Sequence, residues 1–358
     1  MAGKYKVAAL GTGNIWRWSH QQAWVDHPDV EVVAVCDIVE DKAQTVAEEL
    51  GIDEDRVYTD YKDVLKLDEV DIVDICTPNL WHSKMAVPAL KAGKHVFCEK
   101  PDAINGKEAQ KMKDAADQSG KKLMVMRNNR FNPNTQYMKK FIDAGHMGDV
   151  YTGRCGWIRR RGIPGKGGWF TTKELSGGGP LIDLGVHFID VAIYLMGSPT
   201  PVAVCGATYC KFAESDVSDS AHSDFGETKE EGIFDVEDLA TGFIRFDNGA
   251  TLQIEFSWAS NIEQEGTFVE LRGTKAGCKL RGGMRLGIYG ENEAGLFDME
   301  PKLNKTKMNH HALHLHHFID VLDGKAEPII TNQEGVDMIK ILSAMYKSAE
   351  TGREVKLK

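Results

Sequence analysis

With 358 residues the chain exceeds the size at which a single hydrophobic core is usual, so two domains are expected. Its 42% hydrophobic and 27% charged residues are those of a globular protein, and a formal net charge of −10 disfavours nonspecific binding to nucleic acid. No apolar run approaches the roughly 20 residues that span a bilayer, so no membrane partner is expected.

In chain order, residues 5–10, 30–36, 71–76, 95–98 and 123–126 are short apolar runs that read as buried parallel strands. Between them, 41–50, 61–67, 81–92 and 106–119 carry helical spacing, which makes the first part a doubly wound βαβ sheet. Polar and turn-forming residues over 127–133 mark the boundary, giving one domain over 1–127 and a second over 128–358. The second reads as α/β with a mostly antiparallel sheet, its strands at 150–158, 202–212, 240–246, 251–258, 267–272 and 278–280. Asn248-Gly249 between two alternating runs is a hairpin turn, and 181–196 and 334–351 read as helices. Residues 213–237 are acidic, Ser-rich and poor in apolar side chains, the composition of a mobile loop that serves as a lid or an assembly contact. The seven cysteines are scattered without a CxxC pair, which argues for free thiols in a reducing, cytoplasmic compartment.

The first strand runs into Gly11-Thr12-Gly13-Asn14-Ile15-Trp16. A tight turn at Gly11, close backbone approach at Gly13 and a helix opening at Asn14 and Ile15 would cradle a pyrophosphate on a positive helix N-terminus. Trp16 stands where a third Gly or Ala is expected, so the motif alone also fits an ordinary glycine turn. The second strand ends in Asp37, near the spacing at which a carboxylate accepts both ribose hydroxyls and repels a 2′-phosphate. No arginine directly follows it. Together these features define a Rossmann domain that binds NAD(H) rather than NADP(H).

Four segments resemble the Gfo/Idh/MocA family, the glucose–fructose oxidoreductase, inositol dehydrogenase and MocA-like dehydrogenases. The first is the glycine turn with His20 after it. The second is Cys76-Thr77-Pro78-Asn79 with His82, continuing into AVPALKAGKHVFCEKP. The third is Gly178-Gly179-Pro180-Leu181-Ile182-Asp183-Leu184-Gly185-Val186-His187, and the fourth is the tail, HFIDVLDGKAEP followed by SAMYKSAETGREVKL. The resemblance implies an α/β protein: a Rossmann domain joined to a C-terminal α/β domain whose open, mostly antiparallel sheet also forms the subunit contact. A homodimer or homotetramer is implied with it. It implies that Lys100 of the Glu-Lys-Pro segment is catalytic, together with Asp183 and His187, that Pro101 follows a cis bond, and that Asp190 contacts substrate. Thr77, Pro78 and Asn79 would line the nicotinamide ribose, with His82 and Glu99 completing the cofactor set. No metal is implied.

Oxidising a secondary alcohol requires a hydride acceptor, a proton acceptor and a group that steadies charge developing on oxygen. Asp183 and His187 are four residues apart and would share one face of a continuous helix. His187 reads as the proton acceptor, Lys100 as the donor to the same oxygen, and Asp183 as the group that positions substrate and His187. Each has a plainer reading: a Lys-Pro turn, or an Asp/His hydrogen bond within a helix. The segment 157–170 is rich in Gly, Arg and Trp, and Arg159, Arg161 and Trp169 read as substrate-binding, since aromatic faces stack on sugar rings and arginines bind clustered hydroxyls. A solvated basic loop is the plainer alternative. Arg130, with Asn128 and Asn129, is a further candidate. Histidines at helical spacing over 310–317, such as His310 and His314, would suit zinc, but no acidic or cysteine partner has a matching spacing. One of them facing a substrate is equally open.

The sequence thus reads as an NAD-dependent dehydrogenase oxidising a secondary ring hydroxyl of a sugar, glycoside or polyol, with carbon 3 of a pyranose favoured. Two alternatives stay open. One is a glycosidase-like enzyme that keeps its NAD and oxidises transiently. The other is a non-catalytic NAD(H)-sensing protein, for which intact Lys100, Asp183 and His187 would have no use.

Overall fold

The computed structural model of the protein describes residues 4–303 and 309–357. Two compact units divide it, Met1–Asn128 with Met308–Val336, and Asn129–Lys307 with Asp337–Lys358.

The first unit is built on a six-stranded parallel sheet: β1 (Tyr5–Leu10), β2 (Val30–Cys36), β3 (Val57–Tyr58), β4 (Ile72–Ile75), β5 (His95–Cys98) and β6 (Leu123–Val125). Their order is β3-β2-β1-β4-β5-β6, the doubly wound Rossmann order, which reverses direction between β1 and β4 and opens a crevice at the carboxyl ends of those two strands. β3 adds a strand that the sequence did not announce, because two residues carry no periodicity. Val7, Ala8, Ala9 and Leu10 of β1 are all fully buried, as a central parallel strand requires. The helix Gly106–Ser119 begins where the Asn105 side chain accepts the Glu108 N–H and ends at the left-handed Gly120. The helix His310–Leu322 comes back from late in the chain. It places Leu315, Phe318 and Ile319 in one core cluster with Trp16, Trp24 and Phe97, each worth about 1.5–3 kcal/mol in buried area.

Histidines buried in this unit make its stability sensitive to acid. Burial pushes His95 and His311 down to about 4, and lowers His27, His310 and His317 as well. The unfolded chain takes up these protons near pH 6.5, whereas the folded chain does so only at lower pH, so stability present above about 6.5 is lost as pH falls toward 4. His20 is shifted the other way, so its contribution grows as pH falls through about 6.5, and it offsets the loss from only one of these histidines. The melting temperature is expected to fall between pH 7 and pH 5 in thermal scans at fixed ionic strength. A flat profile across that window would contradict neutral, buried imidazoles.

The second unit carries a nine-stranded sheet. Its strands are β7 (Val150–Ile158), β8 (Pro201–Tyr209), β9 (Leu239–Phe246), β10 (Thr251–Ser257), β11 (Gly266–Gly273), β12 (Ala276–Arg281), β13 (Arg285–Asn292), β14 (Gly295–Met299) and β15 (Val355–Lys356). They lie in the order β14-β13-β12-β11-β7-β10-β9-β8-β15, and every pairing is antiparallel except β7 with β10. Asn248-Gly249 turns β9 into β10, with Gly249 at a φ of 83°. The helix read over 181–196 is two pieces, Pro180–Asp183 and Gly185–Leu195, with Leu184 between them. Residues 213–237 are bound along the 161–172 segment. Lys229 N–H donates to the Lys166 carbonyl at 2.8 Å, Thr171 Oγ1 to the Ile233 carbonyl at 2.8 Å, and Ser218 Oγ to the Arg161 carbonyl at 3.3 Å. Among the described residues, no single helix is long and apolar enough to cross a membrane.

Candidate active site

Gly11 leaves β1 with a φ of 93°, and a Cβ there would stand 2.7 Å from the Cys76 carbonyl oxygen, so only glycine fits. At Gly13 nothing lies within 4 Å of the Cβ position, which leaves room for a phosphate to approach the backbone. Asn14 and Ile15 open the helix, which passes through a π-turn, Trp16–His20, into Gln21–Val25. Trp16, at the position where a small residue was expected, is fully buried, and the wider π-turn begins at it. Asp37 follows β2. Its Oδ2 accepts the Thr12 N–H at 2.9 Å and its Oδ1 the Val39 N–H at 2.9 Å. A carboxylate fixed this way keeps lone pairs for two ribose hydroxyls, and Ile38 beside it is 86% exposed, an apolar surface for an adenine ring. These residues fit a dinucleotide that lacks a 2′-phosphate.

Thr77, Pro78 and Asn79 follow β4 and lead into the helix Leu80–Lys91. His82 on that helix is buried. Its Nδ1 lies 2.7 Å from the Pro101 carbonyl oxygen and its Nε2 3.0 Å from that of Thr77, so one ring ties together the chain after β4 and the chain after β5. The Lys100–Pro101 peptide is cis. Glu99 is buried, and its Oε2 accepts the Lys100 N–H at 3.0 Å while its Oε1 is 2.9 Å from His20 Nε2.

In the second unit, Glu237 anchors the start of the Asp183 segment. Its carboxylate accepts the Gly179 N–H at 2.9 Å, the Leu181 N–H at 3.1 Å and the Tyr346 hydroxyl at 2.8 Å, while burial pushes its pKa up. A Cβ on Gly179 would lie 2.0 Å from the Glu237 carbonyl oxygen, which accounts for glycine there. Asp183 Oδ2 accepts the Trp258 indole N–H at 3.0 Å. The single helix expected to carry Asp183 and His187 is bent at Leu184, between Pro180–Asp183 and Gly185–Leu195. The Trp258 indole holds Asp183, and the His187 ring lies 6.5 Å from that of Trp157.

Trp157 gathers further groups. The Arg159 guanidinium lies 4.5 Å over its ring, and His222 meets it edge-on at 5.5 Å. Arg159 is buried and donates from Nη1 to the Gly162 carbonyl at 3.0 Å. Burial lowers its pKa to about 10 against the pull of Asp183 and Glu265, so it stays cationic. His222 was not legible in the sequence. It lies in the Ala221–Asp224 turn of the acidic loop, and only the fold carries it to Trp157.

The remaining sequence candidates have the following partners. Asn128 and Asn129 open the helical turn Asn128–Phe131 that carries Arg130. Arg130 and Asp190, each read as a substrate contact, meet one another in a buried fork, Nε to Oδ2 at 2.9 Å and Nη2 to Oδ1 at 2.8 Å. Arg161 donates to the carbonyls of Arg160 and Ser260 and to Asn261 Oδ1, with its guanidinium over Phe212. Trp169 stacks on Phe170 at 3.8 Å. The tail histidines serve the first unit one at a time. His314 Nδ1 accepts the Arg127 N–H, His316 Nε2 lies 2.8 Å from the Ala23 carbonyl, and His317 Nε2 accepts the Ile329 N–H. Among the described residues one set, His20, Asp74 and Cys76, has potential metal-ligand atoms within 4.8 Å of one another.

A Rossmann unit with an open glycine turn and the Asp37 carboxylate after its second strand, joined to an α/β unit bearing Asp183 and His187, fits an NAD-dependent oxidoreductase. Residues 5–127 match the NAD-binding Rossmann fold of the Gfo/Idh/MocA oxidoreductases, and residues 139–357 match their C-terminal alpha/beta domain. The chain belongs to this family. It is 35% identical over 98% of its length to the D-glucoside 3-dehydrogenase of Escherichia coli K12, of which it covers 97%. Identity to the NAD(+) scyllo-inositol 2-dehydrogenase of Bacillus subtilis is 26% over the full chain and 97% of that protein. Among solved structures, GenD2 of gentamicin A biosynthesis in complex with NAD superposes with a TM-score of 0.79 at 27% identity, covering 100% of this chain and 97% of that one.

Proposed function

We propose that this protein oxidises a secondary ring hydroxyl of a glycoside or closely related sugar, at carbon 3, with hydride transfer to nicotinamide C4 of NAD. The observation that carries this reading is the end-to-end similarity to a D-glucoside 3-dehydrogenase, with Lys100, Asp183 and His187 all present. Gly11, Gly13, Asn14, Ile15 and Asp37 hold the pyrophosphate and adenosine side of the dinucleotide. Thr77, Pro78, Asn79, His82 and Glu99 shape the nicotinamide side. NAD supplies the hydride acceptor when bound. His187 takes the proton of the reacting hydroxyl, Lys100 steadies the charge on its oxygen, and Asp183, held by Trp258, orients the pair.

Trp157, Arg159 and His222 extend the substrate surface in the second unit, beside His187 and within the electrostatic reach of Asp183. His222→Ala is expected to raise KM for a methyl glucoside about tenfold with kcat near the parent value, the loss of one good hydrogen bond. An unchanged KM would remove His222 from the substrate surface. The reading includes a cytoplasmic homodimer or homotetramer, and light scattering on the purified protein checks the mass.

The function itself is tested by following absorbance at 340 nm with NAD⁺ and a panel of glucosides, free hexoses, inositols and uronates. Reduction with glucosides supports the assignment. Reduction confined to inositols would move the substrate class, and glycoside cleavage without net NADH would favour retained NAD and transient oxidation.

A further inference from the structure

A cluster of charged side chains closed to solvent underlies the carboxyl ends of β4 and β5. His20 and Asp74 are fully buried and Glu99 is 4% exposed. His20 Nδ1 is 2.7 Å from Asp74 Oδ2, and His20 Nε2 is 2.9 Å from Glu99 Oε1. With a carboxylate on either side of the ring, only a doubly protonated imidazolium donates to both. Burial is the largest single influence and works against that charge, but the Asp74 carboxylate and the other polar partners together outweigh it and hold the His20 pKa well above the ordinary value. Trp24 Nε1–H donates to the same Asp74 oxygen at 2.6 Å, so Asp74 is itself fixed. Cys76 Sγ lies 3.4 Å from His20 Nδ1, and burial keeps its thiol protonated.

The path does not stop at Glu99, because its other oxygen accepts the Lys100 N–H at 3.0 Å. Trp24, Asp74, His20, Glu99 and the Lys100 main chain therefore form one hydrogen-bonded line within the first unit. Two carboxylates face one imidazolium, and the charges of His20 and Lys100 both act to keep Glu99 ionised against its burial. Buried charges persist when they are paired in this way, and removing one strands the others. The π-turn Trp16–His20 is the local departure from α-helical geometry that ends on the histidine, a feature common at functional positions. His20, Asp74 and Cys76 are also close enough to ligate a metal, but the ring nitrogens and Asp74 Oδ2 are already engaged by protein partners.

We propose that His20 is a positioning residue for Lys100: its imidazolium clamps Glu99, and Glu99 fixes the main chain from which the Lys100 ammonium projects. This rests on the reading of Lys100 as catalytic. The test uses the full-length enzyme with His20→Gln and Glu99→Gln. Each is expected to lower kcat about 10–100-fold while KM for the glucoside stays within about 3-fold, and in His20→Gln the KM for NAD does so too, since a misplaced group lowers turnover more than binding. The double variant is expected to be no slower than the slower single one, because both cut the same line. A role in folding alone would lower the melting temperature and leave kcat per NAD-binding site at the parent value, and that result overturns the proposal.

Should His20→Gln not fold, ¹⁵N NMR of histidine-labelled parent protein decides. His20 is expected to show both ring nitrogens protonated at neutral pH, with signals that move in Lys100→Met. A neutral His20, or one indifferent to Lys100→Met, overturns the proposal. A parent enzyme that oxidised no sugar would refute the function proposed above, and the NMR comparison would still decide the coupling of His20 to Lys100.

Discussion

Lys100→Met and His187→Ala are each expected to lower kcat by about 10²–10⁴-fold, the range spanned by loss of a general base or of a donor to a developing oxyanion. The dissociation constant of NAD is expected to change little, because neither residue belongs to the glycine turn or neighbours Asp37. Two features of the structure support the separation. Gly11, Gly13 and Asp37 are fixed by β1 and β2 and by the bond from Thr12, none of which involves Lys100. His187 lies on the helix Gly185–Leu195 of the second unit, whose start depends on the Glu237 anchor and the break at Leu184. Fluorescence titration with NADH alongside steady-state kinetics checks both halves. Full activity in both variants would remove the acid–base assignment, and loss of NADH binding in step with kcat would turn Lys100 into a cofactor ligand.

The largest effect on stability is expected at Arg130 and Asp190. Both are nearly sealed from water, at 2% and 3% exposure, and each satisfies the other through two parallel bonds. Removing one partner leaves a buried, uncompensated charge, so Arg130→Met is expected to destabilise the protein by about 3–5 kcal/mol. Asp190→Asn acts in the same direction. Replacing both, as Arg130→Met with Asp190→Leu, is expected to recover a large part of the loss, because an apolar pair of similar volume avoids the desolvation that the ions endure. Urea denaturation of the three variants measures this. If stability held and KM for the sugar rose instead, the two residues would be reading substrate, as their positions in the sequence had suggested.

That pair illustrates where the sequence runs out. Arg130 and Asp190 are sixty positions apart, and no local pattern states that one will neutralise the other. His222 and Trp157 are joined in the same way, by a loop whose acidic, Ser-rich composition signals only that it lacks a strand. The break between Asp183 and His187 is a tertiary effect too, since helical spacing alone predicts one continuous element through Leu184. What the sequence did carry are features with a local cause. The apolar runs of β1, β2, β4, β5 and β6 announced a parallel sheet because both of its faces are covered. Gly11 announced itself because a positive φ and a nearby carbonyl leave no room for a side chain. Asn248-Gly249 announced its hairpin for a similar reason. The two-residue strands β3 and β15 are too short to show a period, and β13 and β14 have glycines and charges where an alternating run would have apolar residues. The helix His310–Leu322 has the composition of a histidine cluster, and only the fold shows that its apolar side belongs to the core of the first unit.

The central claim is the transfer of one hydride from carbon 3 of a glycoside to NAD. Methyl β-D-[3-²H]glucopyranoside incubated with the enzyme and NAD⁺ tests it directly, with the reduced nicotinamide and the sugar product both examined by NMR and mass spectrometry. The account predicts one deuterium at nicotinamide C4 and a ketone at carbon 3 of the sugar. NADH free of deuterium, with the label still on carbon 3 of the product, would contradict it.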